Sequence, residues 1–305
     1  MTKSDVNNNK AILFALFGYF TFSACDGFRK MLSSDYSSMD IFLWVSIINV
    51  IATIAFAPML GGLISAFKTK KLSLHLIRGT IGAACSFFAI KTFTLMPMVE
   101  AYTLFFISPF LVSLFSFIFW KERQTIFKTT ALASGFIGVL IAMRPGADII
   151  GEGTIYGLLT AFAFSIFLLL GKPLREKETD FSMLFYPSIL SVIVALFLVD
   201  DINIITDKLD ITYFVLGSVP ALIGTIFLIK AFNIADAGSV SPTHYSQLIW
   251  GFVIGMVAFS EYPDMFVLTG SLIVTMSGIL LLAENKVKRY YIRKQIKEAE
   301  LLAAE

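Results

Sequence analysis

Ten long apolar segments, joined by short polar links, occupy most of this 305-residue chain. A helix needs roughly 20 apolar residues to cross about 30 Å of hydrocarbon, and the segments are continuously apolar, whereas barrel strands alternate. Because backbone polar groups in lipid must be satisfied internally, the pattern predicts transmembrane α-helices. The segments are 11–28, 41–64, 77–98, 101–120, 126–143, 154–170, 181–199, 212–232, 239–259 and 266–283.

The composition predicts a lipid bilayer as the first partner of this chain. It is 57% hydrophobic with a mean hydropathy of +0.80, above the 45–50% apolar content of soluble domains. A net charge of +2, without basic clusters among exposed aromatics, predicts no nucleic-acid partner. The two cysteines and two histidines lie at no metal-ligand spacing, so the sequence predicts neither a metal site nor a cofactor.

Lysine and arginine predict the orientation in the membrane. The polar residues 1–10 precede no short apolar core with a cleavage site, so the first helix is expected to be retained. With the N-terminus in the cytoplasm, 19 of the 24 basic residues fall on the cytoplasmic side, as the positive-inside rule requires. We therefore expect an inner-membrane, multi-pass protein with both termini cytoplasmic, the acidic link 200–210 outside and a basic cytoplasmic tail at 284–305.

The chain contains an internal repeat, which predicts two five-helix units at 11–146 and 153–283. At an offset of 139, Phe88, Lys91, Phe93 and Glu122 recur as Phe227, Lys230, Phe232 and Glu261; at an offset of 142, Phe22, Ser23, Lys30 and Leu32 recur as Phe164, Ser165, Lys172 and Leu174. Five helices per unit would insert the second unit upside down. The predicted fold is an all-α membrane protein of ten transmembrane helices, arranged as two inverted repeats around a central cavity, and this architecture favours transport.

Several short motifs make the chain similar to a known family. They are MPMVEA at 96–101, SPF at 108–110, KER at 121–123, RPG at 144–146, AFNIA at 231–235, the series Pro, Tyr, Gln and Trp within 242–250, and SEYPD at 260–264. Together they resemble the EamA-type branch of the drug/metabolite transporter superfamily over nearly the whole chain. The resemblance implies ten helices, two repeats, and export or uptake of a small metabolite. The Arg that is frequent in the second helix of that family is missing here, where Trp44 and Ser46 stand, so substrate inferences based on that Arg do not transfer.

Charged residues within apolar segments are costly and usually face a cavity. Glu100 begins the fourth segment and could bind a cation or carry a proton, or else complement a helix dipole. Asp26 could face substrate or pair with Arg29 or Lys30. Lys91 could line the site, extend to the membrane surface or pair with Glu100. The sharpest prediction from the sequence is that Glu100→Gln strongly reduces transport while membrane insertion stays normal.

Aromatic and polar residues of the fourth and ninth segments predict a wall of the binding site. The ninth segment supplies His244, Tyr245, Gln247 and Trp250, and the fourth supplies Tyr102 and Phe106. Apolar cavities with a few polar groups are typical of small-molecule sites. His244 could also act as a proton relay, and each aromatic could instead pack in the core.

The sequence favours a secondary transporter with a small-molecule substrate and, as a further partner, a coupling proton or a counter-substrate. Glu100 and Asp26 favour a cationic or zwitterionic substrate, such as an amino acid or S-adenosylmethionine. The aromatic residues favour a neutral aromatic metabolite, such as a vitamin or nucleoside, or a drug. A membrane-embedded enzyme would need a catalytic cluster, and a channel would need pore-ring motifs; neither pattern occurs in the sequence. Direction of transport and oligomeric state stay open.

Overall fold

The computed structural model describes residues 3–120, 126–143, 151–174, 177–234 and 240–280, and these residues contain helices but no β-strand. The helices of these ranges are α1 (Lys3–Leu32), α2 (Ser38–Ala55), α3 (Leu72–Leu95), α4 (Met98–Phe105), α5 (Ser108–Trp120), α6 (Ile126–Met143), α7 (Glu152–Gly171), α8 (Asp180–Leu198), α9 (Lys208–Leu216), α10 (Val219–Ile234), α11 (Ser246–Phe259) and α12 (Met265–Leu280). Each of the ten predicted segments contains helix.

Seven spans within these ranges are long and apolar enough to cross a membrane, which confirms the predicted all-α membrane class. α4 and α5 form one of these spans, and α9 and α10 form another. The three remaining predicted segments contain the shorter helices α6, α11 and α12. The count of ten membrane crossings stays a prediction.

The second predicted segment, 41–64, extends beyond the α-helix that the structure contains there. Its α-helix ends at Ala55, and the chain continues in two 3₁₀ turns, Ala57–Met59 and Leu63–Lys68. Pro58 has no backbone N–H and therefore cannot continue the hydrogen bonding of the α-helix. Gly61 and Gly62 then adopt φ values of +108° and +87°, which a residue with a side chain rarely adopts.

Successive spans run antiparallel, so their links lie at two opposite ends of the bundle. We call these the α1–α2 end, where α1 passes into α2, and the α2–α3 end, where α2 passes into α3. Two long-range hydrogen bonds tie the 200–210 region to the α1–α2 end: Trp44 Nε1 donates to the carbonyl of Asn203 at 2.9 Å, and Tyr36 Oη donates to Asp210 at 2.7 Å. The second bond raises the pKa of Tyr36 to about 12, because the phenol proton is held by the carboxylate.

Two helix crossings correspond to each other through the repeat. α1 packs on α10 where Gly18 meets Gly224, and α3 packs on α7 where Cys85 Sγ lies 3.8 Å from the carbonyl of Thr160. At the offset of 142, Gly18 matches Thr160, and at the offset of 139, Cys85 matches Gly224. Repeats related by a two-fold axis require this exchange of partners.

A second exchange involves two arginines. Arg29 on α1 donates from Nε to the carbonyl of Gly217 at 2.7 Å. At the same two offsets, Gly171 matches Arg29 and Arg78 matches Gly217, and the Arg78 guanidinium lies against Gly171. Both exchanges support the prediction that the first five spans superpose on the last five after a half-turn about an axis in the membrane plane. An experimental structure with halves related by an axis along the membrane normal would contradict it.

The α1–α10 crossing should be sensitive to added volume. A Cβ at Gly224 would lie 2.8 Å from the backbone carbonyl of Gly18, whereas a Cβ at Gly151 would meet nothing within 4 Å. Because the obstacle at Gly224 is backbone, the two helices must separate, and overpacking of this kind costs about 1–3 kcal/mol. We expect Gly224→Ala to lower the thermal melting temperature of detergent-purified protein by several degrees and Gly151→Ala to leave it unchanged. Equal melting temperatures for both variants would contradict the tight crossing.

The predicted orientation can be tested independently of the fold. The distribution of basic residues predicts that both termini and the α2–α3 end lie in the cytoplasm. We expect a reporter fused after Glu305 to be active only if it works in the cytoplasm, and a reporter inserted in the 200–210 link to be active only if it works outside the membrane. The opposite pair of activities would reverse the orientation.

Candidate functional site

A cavity lies inside the bundle beside the α3–α7 crossing and has an empty volume of about 620 Å³, its open mouth included. α1, α3, α4, α7 and the segment that leads into α11 all contribute to its wall. The lining residues are Asp26, Cys85, Ala89, Phe93, Tyr102, Phe105, Phe106, Ser108, Thr160, Phe164, His244 and Gln247.

Asp26 supplies the carboxylate of this cavity. Its Oδ2 accepts a hydrogen bond from Tyr102 Oη at 2.9 Å, and its Oδ1 lies 3.1 Å from Arg29 Nη1. Arg29 is in turn held by the carbonyl of Gly217. Tyr102 can approach because Gly251 on α11 has no side chain to block its ring. The carboxylate is therefore held in place by two donors, and it is the acidic group of this cavity.

Aromatic rings line the same cavity as the carboxylate. Phe93 packs edge-to-face against Tyr102, with ring centroids 5.3 Å apart, and against Phe105 at 5.4 Å. Phe106 packs edge-to-face against His244 at 5.0 Å. Edge-to-face packing fixes ring orientations, so the cavity presents aromatic faces in a defined arrangement around one acidic group.

A second compartment adjoins the first and differs from it in chemistry. Its lining includes five small polar side chains, Ser46, Asn49, Ser86, Ser188 and Ser191, in an empty volume of about 670 Å³ that includes its opening. Cys85 and Phe164 line both compartments. We call this space the polar chamber.

An ion pair joins the two repeats at the α1–α2 end. Lys30 Nζ lies 2.6 Å from Glu261 Oε1, and both side chains are largely buried, at 13% and 14% exposure. Lys30 Nζ also donates to the carbonyl of Met96 at 2.7 Å, and the amide of Met98 donates to Glu261 Oε2 at 2.9 Å. Ser260, in the left-handed conformation with φ 53°, ends α11 and positions Glu261 for these contacts.

At the α2–α3 end, too, side chains of the first repeat contact residues of the second. Arg78 Nη1 donates to the carbonyl of Met183 at 3.0 Å, and its guanidinium lies 3.9 Å from the centroid of the Phe167 ring. Glu178 accepts from Thr69 Oγ1 at 2.6 Å. Each end of the bundle is therefore held by hydrogen bonds that join the first repeat to the second.

Comparison with known proteins agrees with this architecture. The sequence profile of the EamA-like transporter family matches residues 9–144 and again residues 151–283. The chain belongs to the EamA-like transporter family. The two matches nearly coincide with the repeats predicted at 11–146 and 153–283.

Relatives of this EamA-like transporter include proteins named for opposite directions of transport. This chain is 26% identical over 269 residues to the S-adenosylmethionine uptake transporter of Rickettsia conorii. The alignment covers 87% of this chain and 89% of that protein. This chain is 25% identical over 280 residues to the pseudopaline exporter CntI of Pseudomonas aeruginosa, covering 90% of this chain and 96% of that protein. A solved crystal structure with a TM-score of 0.62 and 14% identity covers 92% of this chain and 99% of its own, which shows a shared fold.

Five of the nine predicted site residues of this EamA-like transporter line the cavity: Asp26, Tyr102, Phe106, His244 and Gln247. They come from spans one, four and nine, which the structure brings together. Asp26 also pairs with Arg29, which is one of its two interpretations from the sequence; the other, contact with substrate, stays a prediction.

The other four predicted residues lie elsewhere. Glu100 lines a separate recess with Met96 and Asp264, because it faces α6 and α12 on the far side of α4. The Lys91 ammonium lies 5.8 Å from the Tyr156 ring centroid. Tyr245 is buried against Gly278 and stacks on Phe106 at 4.9 Å, and Trp250 packs edge-to-face on Phe20 at 5.0 Å. None of these four residues is in the lining of the cavity.

Sequence reasoning missed the contributions of α3 and α7. Phe93 on α3 and Phe164 on α7 are two of 31 phenylalanines in the chain, so their residue type carried no signal. The repeat could have drawn attention to Phe164, which matches Phe22 at the offset of 142. The serines of α8 were a weak indication of the polar chamber in the sequence, because they lie within an otherwise apolar span.

Proposed function

We propose that this transporter carries a cationic or zwitterionic metabolite of the S-adenosylmethionine class across the inner membrane by alternating access, and that it leaves its cargo chemically unchanged. The observation that supports this proposal is that Tyr102 and Arg29 hold the Asp26 carboxylate at the wall of an aromatic cavity. The names of several relatives point to the same substrate.

The chemistry of the cavity suits a sulfonium ion. A cation is attracted to an aromatic face within about 6 Å of its centroid, and the sulfonium of S-adenosylmethionine carries a full positive charge without a proton to lose. Phe93, Tyr102 and Phe105 supply rings beside the carboxylate of Asp26. An acidic group surrounded by aromatic rings selects a cation over its neutral analogue, because only the cation gains from both.

The predicted inverted repeats favour alternating access. Substrate held between the repeats reaches one side when the α1–α2 end opens and the other when the α2–α3 end opens. The Lys30–Glu261 pair and the Met96 and Met98 contacts must break for the first movement, and the Arg78 contacts for the second. A proton or a counter-substrate supplies the driving force.

A neutral aromatic metabolite, including a drug for export, is the second candidate. Aromatic rings make up much of the cavity lining, with Phe93, Tyr102, Phe105, Phe106 and Phe164. In this case ring stacking would carry recognition, and the Asp26–Arg29 pair would only hold α1 in place. The positive charge of the substrate therefore separates the two candidates.

Transport by purified protein in liposomes tests the proposal. We expect saturable uptake of radiolabelled S-adenosylmethionine, recovered intact by chromatography, with S-adenosylhomocysteine competing at least about tenfold more weakly, since it lacks the charge. Equal competition by both would favour the neutral candidate, and absence of uptake would contradict the proposal. Imposing a pH gradient, or preloading with unlabelled substrate, identifies the driving force.

A further inference from the structure

We propose that the polar chamber binds the uncharged, hydrogen-bonding half of the substrate, a nucleoside, while the Asp26 compartment binds the cationic half. This inference rests on the proposed function. It assigns a binding subsite to Ser46, Asn49, Ser86, Ser188 and Ser191, which come from α2, α3 and α8.

Polar side chains are expensive within the hydrocarbon region unless they face other protein groups or a cavity. The five polar residues of the chamber lie near the middle of their spans and converge on one space. Asn49 forms no side-chain hydrogen bond within the described residues, so its amide offers both donors and an acceptor to a ligand. A chain with 57% hydrophobic residues thus places an unused amide inside its bundle.

Two serines of α8 can accept hydrogen bonds from a ligand. Ser188 Oγ donates to the carbonyl of Leu184 at 2.9 Å, and Ser191 Oγ donates to the carbonyl of Pro187 at 2.8 Å. Each hydroxyl proton is thereby used within the helix, and the oxygen lone pairs stay available to a donor. Ribose hydroxyls and an exocyclic amine supply such donors. The chamber lining contains no charged side chain, so it favours a neutral polar group.

The two compartments are adjacent, so a molecule that spans them would pass the side chains that line both. Cys85 and Phe164 line both, and Phe167, which lines the chamber only, already stacks with Arg78. Bases stack well on aromatic faces, so the Phe164 ring suits a purine at the junction. A ligand with a cationic end and a nucleoside end matches the order of chemistry along the cavity.

A water-filled vestibule would also be lined with polar groups, so the test must separate binding from passage. We would measure affinities of purified Asn49→Leu and Asp26→Asn for S-adenosylmethionine and S-adenosylhomocysteine by calorimetry and competition. Asn49→Leu is expected to weaken both ligands by the same factor, about tenfold. Asp26→Asn is expected to weaken only the sulfonium, and Asn49→Ser to recover part of the affinity lost with Leu.

Asn203→Leu provides the matched control, because Asn203 is exposed and uses only its backbone carbonyl in the fold. The inference is overturned if Asn49→Leu leaves both affinities unchanged or slows transport without changing affinity, as a vestibule residue would. If the wild-type protein binds neither ligand, the proposed function fails and this inference fails with it. If it binds both and only Asp26 matters, the proposed function stands and the nucleoside subsite does not.

Discussion

Replacing Asp26 by Asn is expected to reduce transport of S-adenosylmethionine by roughly 10- to 100-fold, with normal insertion into the membrane. The substitution keeps the size of the side chain and removes the charge that faces the cavity. Hydrogen bonds to charged groups contribute about 1.5–3 kcal/mol, and each 1.4 kcal/mol corresponds to a factor of ten in affinity. Initial uptake rates in liposomes at matched protein levels measure the effect.

Two further variants separate charge from stability. Asp26→Asn also removes the partner of Arg29, which could destabilise the fold, so thermal melting of each variant must be measured beside transport. Tyr102→Phe removes only the hydroxyl that donates to Asp26 and is expected to slow transport less than tenfold. Asp35→Asn, an exposed acid in the link after α1, should transport as the wild type does. A fully active Asp26→Asn would remove the carboxylate from the site.

Glu100→Gln gives the sharpest contrast with the expectation from sequence. The sequence predicts a strong loss of transport, whereas the recess that contains Glu100 is separate from the cavity. From the geometry we propose that Glu100→Gln transports at close to the wild-type rate and that Asp26→Asn does not. If Asp26→Asn transports normally and Glu100→Gln does not, Glu100 supplies the carboxylate that binds the substrate.

Replacing Glu261 by Gln is expected to open the α1–α2 end and to slow transport about tenfold or more. The change removes one partner of a largely buried ion pair that joins the repeats. An unpaired buried charge costs about 3–5 kcal/mol, and opening of this end would return the Lys30 ammonium to water. The equilibrium between the two transport states should therefore move toward the state that is open at the α1–α2 end.

Cys85 provides a native reporter for this movement. The chain has two cysteines, and Cys85 lines the cavity, so a Cys25→Ser background leaves one thiol to label. A membrane-impermeant thiol reagent added outside should modify Cys85 about tenfold faster in Glu261→Gln than in the parent protein. Asp201→Asn, an exposed acid at the same end, is the matched control. The exchange of charges in Lys30→Glu with Glu261→Lys should restore slow labelling; unchanged labelling in Glu261→Gln would show that the pair does not hold this end closed.

The limits of the sequence are clearest for the first and fourth spans. Helices in lipid are apolar on the faces that meet lipid and on the faces that pack together, so hydrophobic periodicity does not identify the face toward the cavity. Asp26 and Glu100 both stand near the α1–α2 end of apolar helices, and only the packing of α4 against α6 and α12 turns Glu100 away. Tyr245 shows the same ambiguity, because Gly278 on another helix leaves the space that its ring fills.

What the sequence determined by itself is therefore the class of fold, the positions of the helices, the repeat and the family. These depend on the length of apolar segments, on short links and on local motifs, all of which are properties of contiguous residues. The tertiary structure alone decided that Lys30 meets Glu261, that Asp26 faces an aromatic cavity, and that five polar side chains from three helices line one chamber. Each of these depends on the rotation of a helix about its axis, which is set by close packing such as Gly18 against Gly224 and Gly251 against Tyr102, between residues far apart in the chain.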